Sequence, residues 1–197
     1  MNTTFRSANI NPFRVSKLES LDWIAAPQSL EEIFNEWSLA EFKGQLVGKH
    51  GSGKTTLAHH LINFLEQNGY TSQYLFANLD SLKNDFKNWD ETIQRASDNT
   101  IFIFDGIGHA PFFKRRKWLA STKHFLALVH TPLKNIPVTG ELTASVSMLE
   151  KLTYQLAGSE GLQLLEISGG SQFFLNKNKH NLRDCFFDLY KIWANTK

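Results

Sequence analysis

The stretch Gly48-Lys49-His50-Gly51-Ser52-Gly53-Lys54-Thr55, followed by Thr56, decides how the rest of the chain is read. It fits G-x-x-x-x-G-K-[ST]. In that spacing glycines let backbone N–H groups turn inward around phosphates, the lysine reaches the β- and γ-phosphates, and the hydroxyl reaches Mg²⁺. Gly48, His50, Gly51, Ser52, Gly53, Lys54, Thr55 and Thr56 are therefore candidate phosphate ligands, and Thr55 is also a candidate Mg²⁺ ligand. The flanks agree with this reading. Leu46-Val47 suits a short strand, and residues 56–65 place apolar side chains at 57, 61, 64 and 65, the spacing of a helix.

Working outward, residues 1–28 read as irregular, punctuated by Asn11-Pro12 and Ala26-Pro27. Ser29-Leu30-Glu31-Glu32 has the form of a capping box. Leu30, Ile33, Phe34 and Trp37 follow at helical spacing, with Gly44 as the expected stop. Residues 70–77 read as a second strand. Asp80 or Ser81 is positioned to cap a helix with Leu82, Phe86, Trp89 and Ile93 on one face. Ile101-Phe102-Ile103-Phe104 is an uninterrupted apolar run ending at Asp105, the form of a strand buried on both faces. Pro111 opens a further helix, 125–129 form a fourth strand ending at His130, and 135–139 form a short fifth. Residues 142–157 read as helix. Residues 162–167 and 172–175, around Gly169-Gly170, read as a hairpin, and Asn181 caps a last helix.

Strands alternating with helices imply an α/β fold: a three-layer, mainly parallel sheet flanked by helices, with ligands beyond the carboxyl ends of the strands. The 48–55 loop, Asp80, Asp105 and His130 all fall at such ends. The expected organisation has three parts. An N-terminal extension with one amphipathic helix covers 1–43 and a nucleotide-binding core covers 44–140. A C-terminal segment of helices, with or without the hairpin, covers 141–197 and packs on the core.

The 197 residues are 42% hydrophobic, enough for a sizeable core. The single Cys185 excludes an internal disulfide framework and suits a reducing compartment, hence a cytoplasmic expectation. No run reaches the length of a membrane-spanning helix. The N-terminus lacks the apolar stretch of a secretory signal, and Arg6, Arg14 and Lys17 lie in an acid-free stretch that only faintly resembles a transit peptide. Net charge is +2, so overall charge says little about partners.

The strongest local charge excess is Lys114-Arg115-Arg116-Lys117, with His109, Lys123 and His124 nearby and Phe112, Phe113 and Trp118 interleaved. Four consecutive charges sweep most of a helical turn, so they form a ridge and not a flat stripe. Such a ridge suits nucleic-acid phosphates with aromatic support, a neighbouring subunit's nucleotide in an oligomer, a phosphate on an acceptor, a protein partner, or plain solvation.

With both the 48–55 loop and Asp105 in place, the chain resembles the P-loop NTPase superfamily over about residues 44–140, Asp105 standing as the Walker B carboxylate. The order of elements resembles the additional-strand division, which includes AAA+, ABC-type and RecA-like ATPases. The resemblance implies ATP and Mg²⁺ as cofactors, Asp105 holding Mg²⁺ and orienting Thr55, and in-line attack of water on the γ-phosphate. It implies His130 as the γ-phosphate sensor at the end of the fourth strand. Asn181-Leu182-Arg183-Asp184 resembles a sensor-2 segment, with Arg183 approaching the γ-phosphate. The chain also resembles small bacterial P-loop proteins that carry an N-terminal Asn-Pro-Phe segment and a basic segment after Walker B.

The chain departs from the ATPase pattern directly after Asp105. Those ATPases often carry a water-activating Glu there, but here Gly106 is followed by Ile107-Gly108-His109. Asp80 and His109 are the remaining candidates for that role. The guanine-recognition pattern Asn-Lys-x-Asp is absent. Asn176-Lys177-Asn178-Lys179 ends in Lys, which cannot accept the guanine N–H bonds, so ATP is preferred to GTP.

The expected function is that of an ATP- and Mg²⁺-binding ATPase, slow alone or stimulated by a partner. One alternative is a small-molecule or nucleotide kinase, with Asp80 as acceptor base and Arg115 and Arg116 in a lid. In that case the Asp105 strand adjoins the 48–55 loop's strand. The other alternative is a non-hydrolysing, nucleotide-gated module that binds nucleic acid or protein.

Overall fold

The structure is a computed structural model that describes residues 8–18, 20, 21, 28–77 and 80–195. Arg6 and the Ala26-Pro27 break lie outside those residues. The strands are β1 (Lys43–Gly48), β2 (Ser72–Phe76), β3 (Ile101–Asp105), β4 (His124–Val129) and β5 (Val138–Leu142). The α-helices are α1 (Val15–Leu18), α2 (Leu30–Leu39), α3 (Lys54–Gln67), α4 (Leu82–Arg95), α5 (Phe112–Ser121), α6 (Val146–Ile167), α7 (Ser171–Lys177) and α8 (Leu182–Asn195). They form two compact units, one from Met1–Ala26, Lys49–Gly53 and Thr143–Lys197, the other from Pro27–Gly48 and Lys54–Leu142.

The second unit holds a five-stranded sheet in the order β2-β3-β4-β1-β5. Every pairing is parallel. Parallel strands are buried on both faces, which is why β3 is apolar throughout and buried at every position. Side chains alternate across the sheet. Leu75, Phe102, Phe104, Phe125, Ala127 and Val129 face Phe86 and Trp89 of α4 and Trp118 of α5. On the opposite face, the ring of His59 from α3 lies 4.9 Å from that of Tyr74. Phe34 of α2 meets Phe64 of α3 at 5.1 Å. Helices thus flank both faces of the sheet.

Local chemistry starts and stops these elements. The capping box forms: Ser29 Oγ accepts from the Glu32 N–H at 3.1 Å, and the Ser29 N–H donates to Glu32 Oε2 at 2.7 Å. The α2 stop is corrected. The helix ends at Leu39, and Glu41 and Phe42, not a glycine, take the left-handed conformation. Gly44 lies inside β1, where a Cβ would fall 2.4 Å from Thr139 Cγ2. Its requirement is close approach of neighbouring elements, which local sequence does not display. Ser81, not Asp80, is the residue before α4, and its hydroxyl donates to Asp85 Oδ2 at 2.6 Å.

In the first unit α6, α7 and α8 share an apolar core that includes Phe13, Leu149, Leu165, Phe174, Cys185, Leu189 and Trp193. The Asn11-Pro12-Phe13 segment is part of this core. Asn11 Nδ2 donates to the Tyr190 carbonyl at 2.9 Å, and the Phe13 ring lies 6.3 Å from that of Phe186.

The hairpin expected over 162–175 is corrected to helix. Residues up to Ile167 continue α6 beyond a break at Gly158, and α7 begins at Ser171 after Gly169 and Gly170, both at positive φ. Gly161, Leu164 and Leu165 are buried at i, i+3 and i+4, which is helical periodicity. The two glycines do make a turn, but one between helices. Among the described residues no helix is long and apolar enough to cross a membrane.

Candidate functional site

β1, β3 and β4 are adjacent or separated by one strand, and their carboxyl ends bring several candidate side chains together. β1 ends at Gly48 and α3 begins at Lys54, which is only 7% exposed. Lys54 Nζ donates to the Gly48 carbonyl at 2.5 Å and lies 3.2 Å from His130 Nδ1, just past the end of β4. His130 Nδ1 is also 3.1 Å from the Gly48 carbonyl. An unprotonated Nδ1 accepts from the ammonium, whereas a protonated Nδ1 donates to the carbonyl, so the imidazole tautomer and the charge on Lys54 are linked. Burial lowers the Lys54 pKa to about 8, against the opposing charge of Asp105.

Asp105 closes β3 and is 8% exposed. Thr55 Oγ1 donates to Asp105 Oδ2 at 2.7 Å, and the Tyr74 hydroxyl donates to the same oxygen at 2.9 Å. Burial, then the neighbouring Asp105 charge and hydrogen bond, push the Tyr74 phenol well above its ordinary range, so it remains a donor. Tyr74 was not among the sequence candidates. Nothing within β2, Ser72-Gln73-Tyr74-Leu75-Phe76, marks its phenol out, and the β2–β3 pairing that places it beside Asp105 is long-range.

The segment Lys49–Gly53 belongs to the other unit. Gly51 and Gly53 have φ of 69° and 90°. A Cβ on Gly51 would fall 1.7 Å from Asn181 Oδ1. That oxygen caps α8 by accepting the Arg183 N–H at 3.0 Å. Ser52 is 1% exposed, and its hydroxyl has no hydrogen-bond partner among the described residues. Such an orphaned buried donor is rare, and an anionic oxygen is the kind of group that satisfies it. His50 is exposed in this segment, and Arg183 is exposed on the first turn of α8.

Gly48, Lys54, Thr55, Asp105 and His130 are thus joined, with Tyr74, by hydrogen bonds. Thr56 is exposed on the first turn of α3. Asp80 is exposed before α4, and His109 is exposed at the end of the short 3-10 turn Ile107–His109. Gly106 adopts φ 93°, and a Cβ there would fall 2.7 Å from the Ala77 carbonyl oxygen. The basic ridge divides. Lys114 and Lys117 reach Asp90 at 3.7 and 3.2 Å, while Arg115 and Arg116 line a cleft on the other side of α5.

The Lys54 ammonium is a donor suited to phosphate, and within the other unit the Ser52 hydroxyl and the backbone turned at Gly51 and Gly53 are donors of the same kind. The Thr55 hydroxyl and Asp105 carboxylate are hard oxygen donors suited to Mg²⁺. Among the described residues no cluster of three or more His, Cys, Asp or Glu is arranged to hold a metal. Two protein oxygens, with water and substrate oxygens completing the shell, is the usual manner of Mg²⁺. No protein-family model matches the chain, and comparison with curated proteins finds no match.

Proposed function

We propose that this chain is a P-loop protein of the additional-strand type that binds ATP with Mg²⁺ and hydrolyses it slowly unless a partner assists. The observation that carries this reading is the Thr55–Asp105 hydrogen bond, made at the carboxyl edge of a sheet in which β4 stands between β1 and β3. That strand order counts against the common kinase arrangement, in which the Asp strand adjoins the loop strand.

In this reading the turned backbone of residues 48–53 and the Ser52 hydroxyl receive phosphate oxygens. Lys54 is already held at the strand ends by Gly48 and His130. Phosphate replaces those contacts, and the ammonium offsets charge that develops on the γ-phosphoryl group. Mg²⁺, bound at Thr55 and Asp105, would neutralise charge on the phosphate oxygens. Asp105 is orienting and not basic in this scheme, because Thr55 and Tyr74 both bond one of its oxygens. With Gly106 next in the chain, no carboxylate follows to activate water, which is the reason for the slow rate.

Steady-state phosphate release with Lys54→Ala as control tests the proposal. Mg²⁺-dependent release that the variant lacks supports the ATPase. A phosphorylated acceptor assigns a kinase, and tight binding with neither product assigns a nucleotide-gated module.

Tyr74→Phe provides a finer test. Removing an outer-shell partner of a ligating carboxylate commonly lowers metal affinity about 10-fold. A Mg²⁺ titration of nucleotide binding is therefore expected to shift about 10-fold to higher concentration. An unmoved titration would remove Asp105 from the metal site.

A further inference from the structure

We propose that the cleft between α5 and the β4–β5 connection binds single-stranded nucleic acid, through its phosphates and through base stacking. This inference is independent of the nucleotide reading. The cleft has a volume of about 760 Å³. Its cations come from three separate elements: Lys43 at the start of β1, Arg115 and Arg116 on α5, and Lys134 between β4 and β5. Among the described residues no Asp or Glu lines it.

Helical spacing explains why the ridge splits. Lys114, Lys117 and Trp118 stand at i, i+3 and i+4 and turn to Asp90, which accepts Trp118 Nε1 at 2.8 Å as well as pairing with both lysines. Phe112, Arg115, Arg116 and Leu119 stand at i, i+3, i+4 and i+7 and turn to the cleft. Asp90 therefore offsets one of the two lysine charges on its own face and none on the other. Among the described residues no acid pairs with Lys43, Arg115, Arg116 or Lys134.

Two adjacent aromatics stand beside these cations. Phe112 is 59% and Phe113 is 83% exposed, and the Arg115 guanidinium lies 5.9 Å from the Phe112 ring centre. A small phosphorylated molecule would call for cations converging on one point. Here they are distributed along an open cleft beside exposed π-faces. That is the arrangement that tracks a flexible phosphate backbone while bases stack on aromatic rings. A duplex has no free base faces to offer, and an acidic polypeptide makes no use of the phenylalanines. The cleft lies at the amino ends of β1, β4 and β5, whereas Gly48, Asp105 and His130 lie at carboxyl ends. The two sites are at opposite edges of the sheet, so both can be filled at once.

Fluorescence anisotropy of a labelled 20-mer oligothymidylate, titrated with the full chain over a range of NaCl, tests the proposal. Binding is expected to weaken with salt, each lost single-strand phosphate contact removing about 0.7 from the log–log slope. Arg115→Ala/Arg116→Ala is expected to lower that slope by about 1.4 and to weaken binding at least about 10-fold. Lys43→Ala/Lys134→Ala is expected to act alike, and it carries the test if the arginine pair fails to fold. Lys114→Ala/Lys117→Ala, on the Asp90 face, is expected to stay within about 2-fold, as surface positions away from a contact do. Phe112→Ala/Phe113→Ala is expected to weaken binding about 10-fold with the slope unchanged, the signature of lost stacking. The proposal is overturned if the oligonucleotide does not bind, or if the Asp90-face pair loses as much affinity as the cleft pairs. It is equally overturned if tripolyphosphate or poly-glutamate of matched charge displaces the oligonucleotide completely, which would mark a small-anion or protein site.

Discussion

Lys54→Ala is expected to lower nucleotide affinity by at least about 100-fold at pH 7, because charge-assisted bonds to phosphate are worth roughly 3 kcal/mol and each 1.4 kcal/mol is tenfold. The same lysine makes a pH prediction with a definite sign. In the free protein burial lowers its pKa to about 8 from an ordinary 10.5. A bound phosphate raises it again, because an adjacent anion favours the charged form. Nucleotide binding therefore takes up a proton above pH 8, and affinity falls as pH rises through about 8, approaching tenfold per pH unit. Calorimetry at pH 7 and pH 9, in buffers of different ionisation enthalpy, reads both the affinity and the proton. Affinity and proton count that are flat across that range would take Lys54 out of the phosphate site.

Stability of the unliganded protein runs the other way. The unfolded chain binds more protons than the native one between pH 8 and 10.5, so the Lys54 contribution to stability rises with pH across that window. Below pH 8 the cost of burying the charged ammonium is present in full. In Lys54→Ala both dependences should disappear.

Gly106→Glu is expected to destabilise the protein, not to supply the missing water-activating acid. The resemblance to additional-strand ATPases makes this the obvious position for a catalytic carboxylate. The backbone there is at φ 93°, and a Cβ would meet the Ala77 carbonyl oxygen at 2.7 Å. Ala77 cannot easily yield, because its N–H bonds the Asp105 carbonyl at 2.9 Å and extends the β2–β3 pairing. Backbone strain of about 1–3 kcal/mol plus overpacking of similar size gives a loss of roughly 2–6 kcal/mol. A Tm drop of about 4–24 °C follows for a chain of this size. Thermal unfolding and phosphate release on the same sample decide the matter. A variant that melts normally and turns over faster would show that the β3 exit relaxes to accept a side chain. Gly106→Ala should already show most of the stability loss, since the clash begins at Cβ.

Much of the fold was legible from local chemistry. The capping box at Ser29, the apolar run ending at Asp105, the helix opened by Pro111 and the cap at Asn181 are all decided by neighbours within a few residues. The errors share one cause. Gly44 is spaced as a stop for α2, but it answers to Thr139, far away in sequence. Gly169-Gly170 suits the turn of a hairpin, and it does turn the chain, but between two helices. Tyr74 escaped notice for the same reason: its partner Asp105 lies on the next strand, and pairing partners are not written in local periodicity.

By itself, the sequence determined the α/β class, the placing of strand ends at Gly48, Asp105 and His130, and the concentration of positive charge at 114–117. Each of these follows from residue type and short-range spacing, which side-chain sterics and hydrogen-bonding capacity convert directly into helix, strand or turn. Only the tertiary structure decided that β4 lies between β1 and β3, that Thr55 and Tyr74 converge on one oxygen of Asp105, and that Gly106 has no room for a side chain. It alone also divided the basic ridge, by setting Asp90 of α4 against one face of α5 and leaving the other open. Those outcomes depend on which strands pair and which helices pack together. They are settled by burial summed over residues distant in the chain, so no window of sequence contains them.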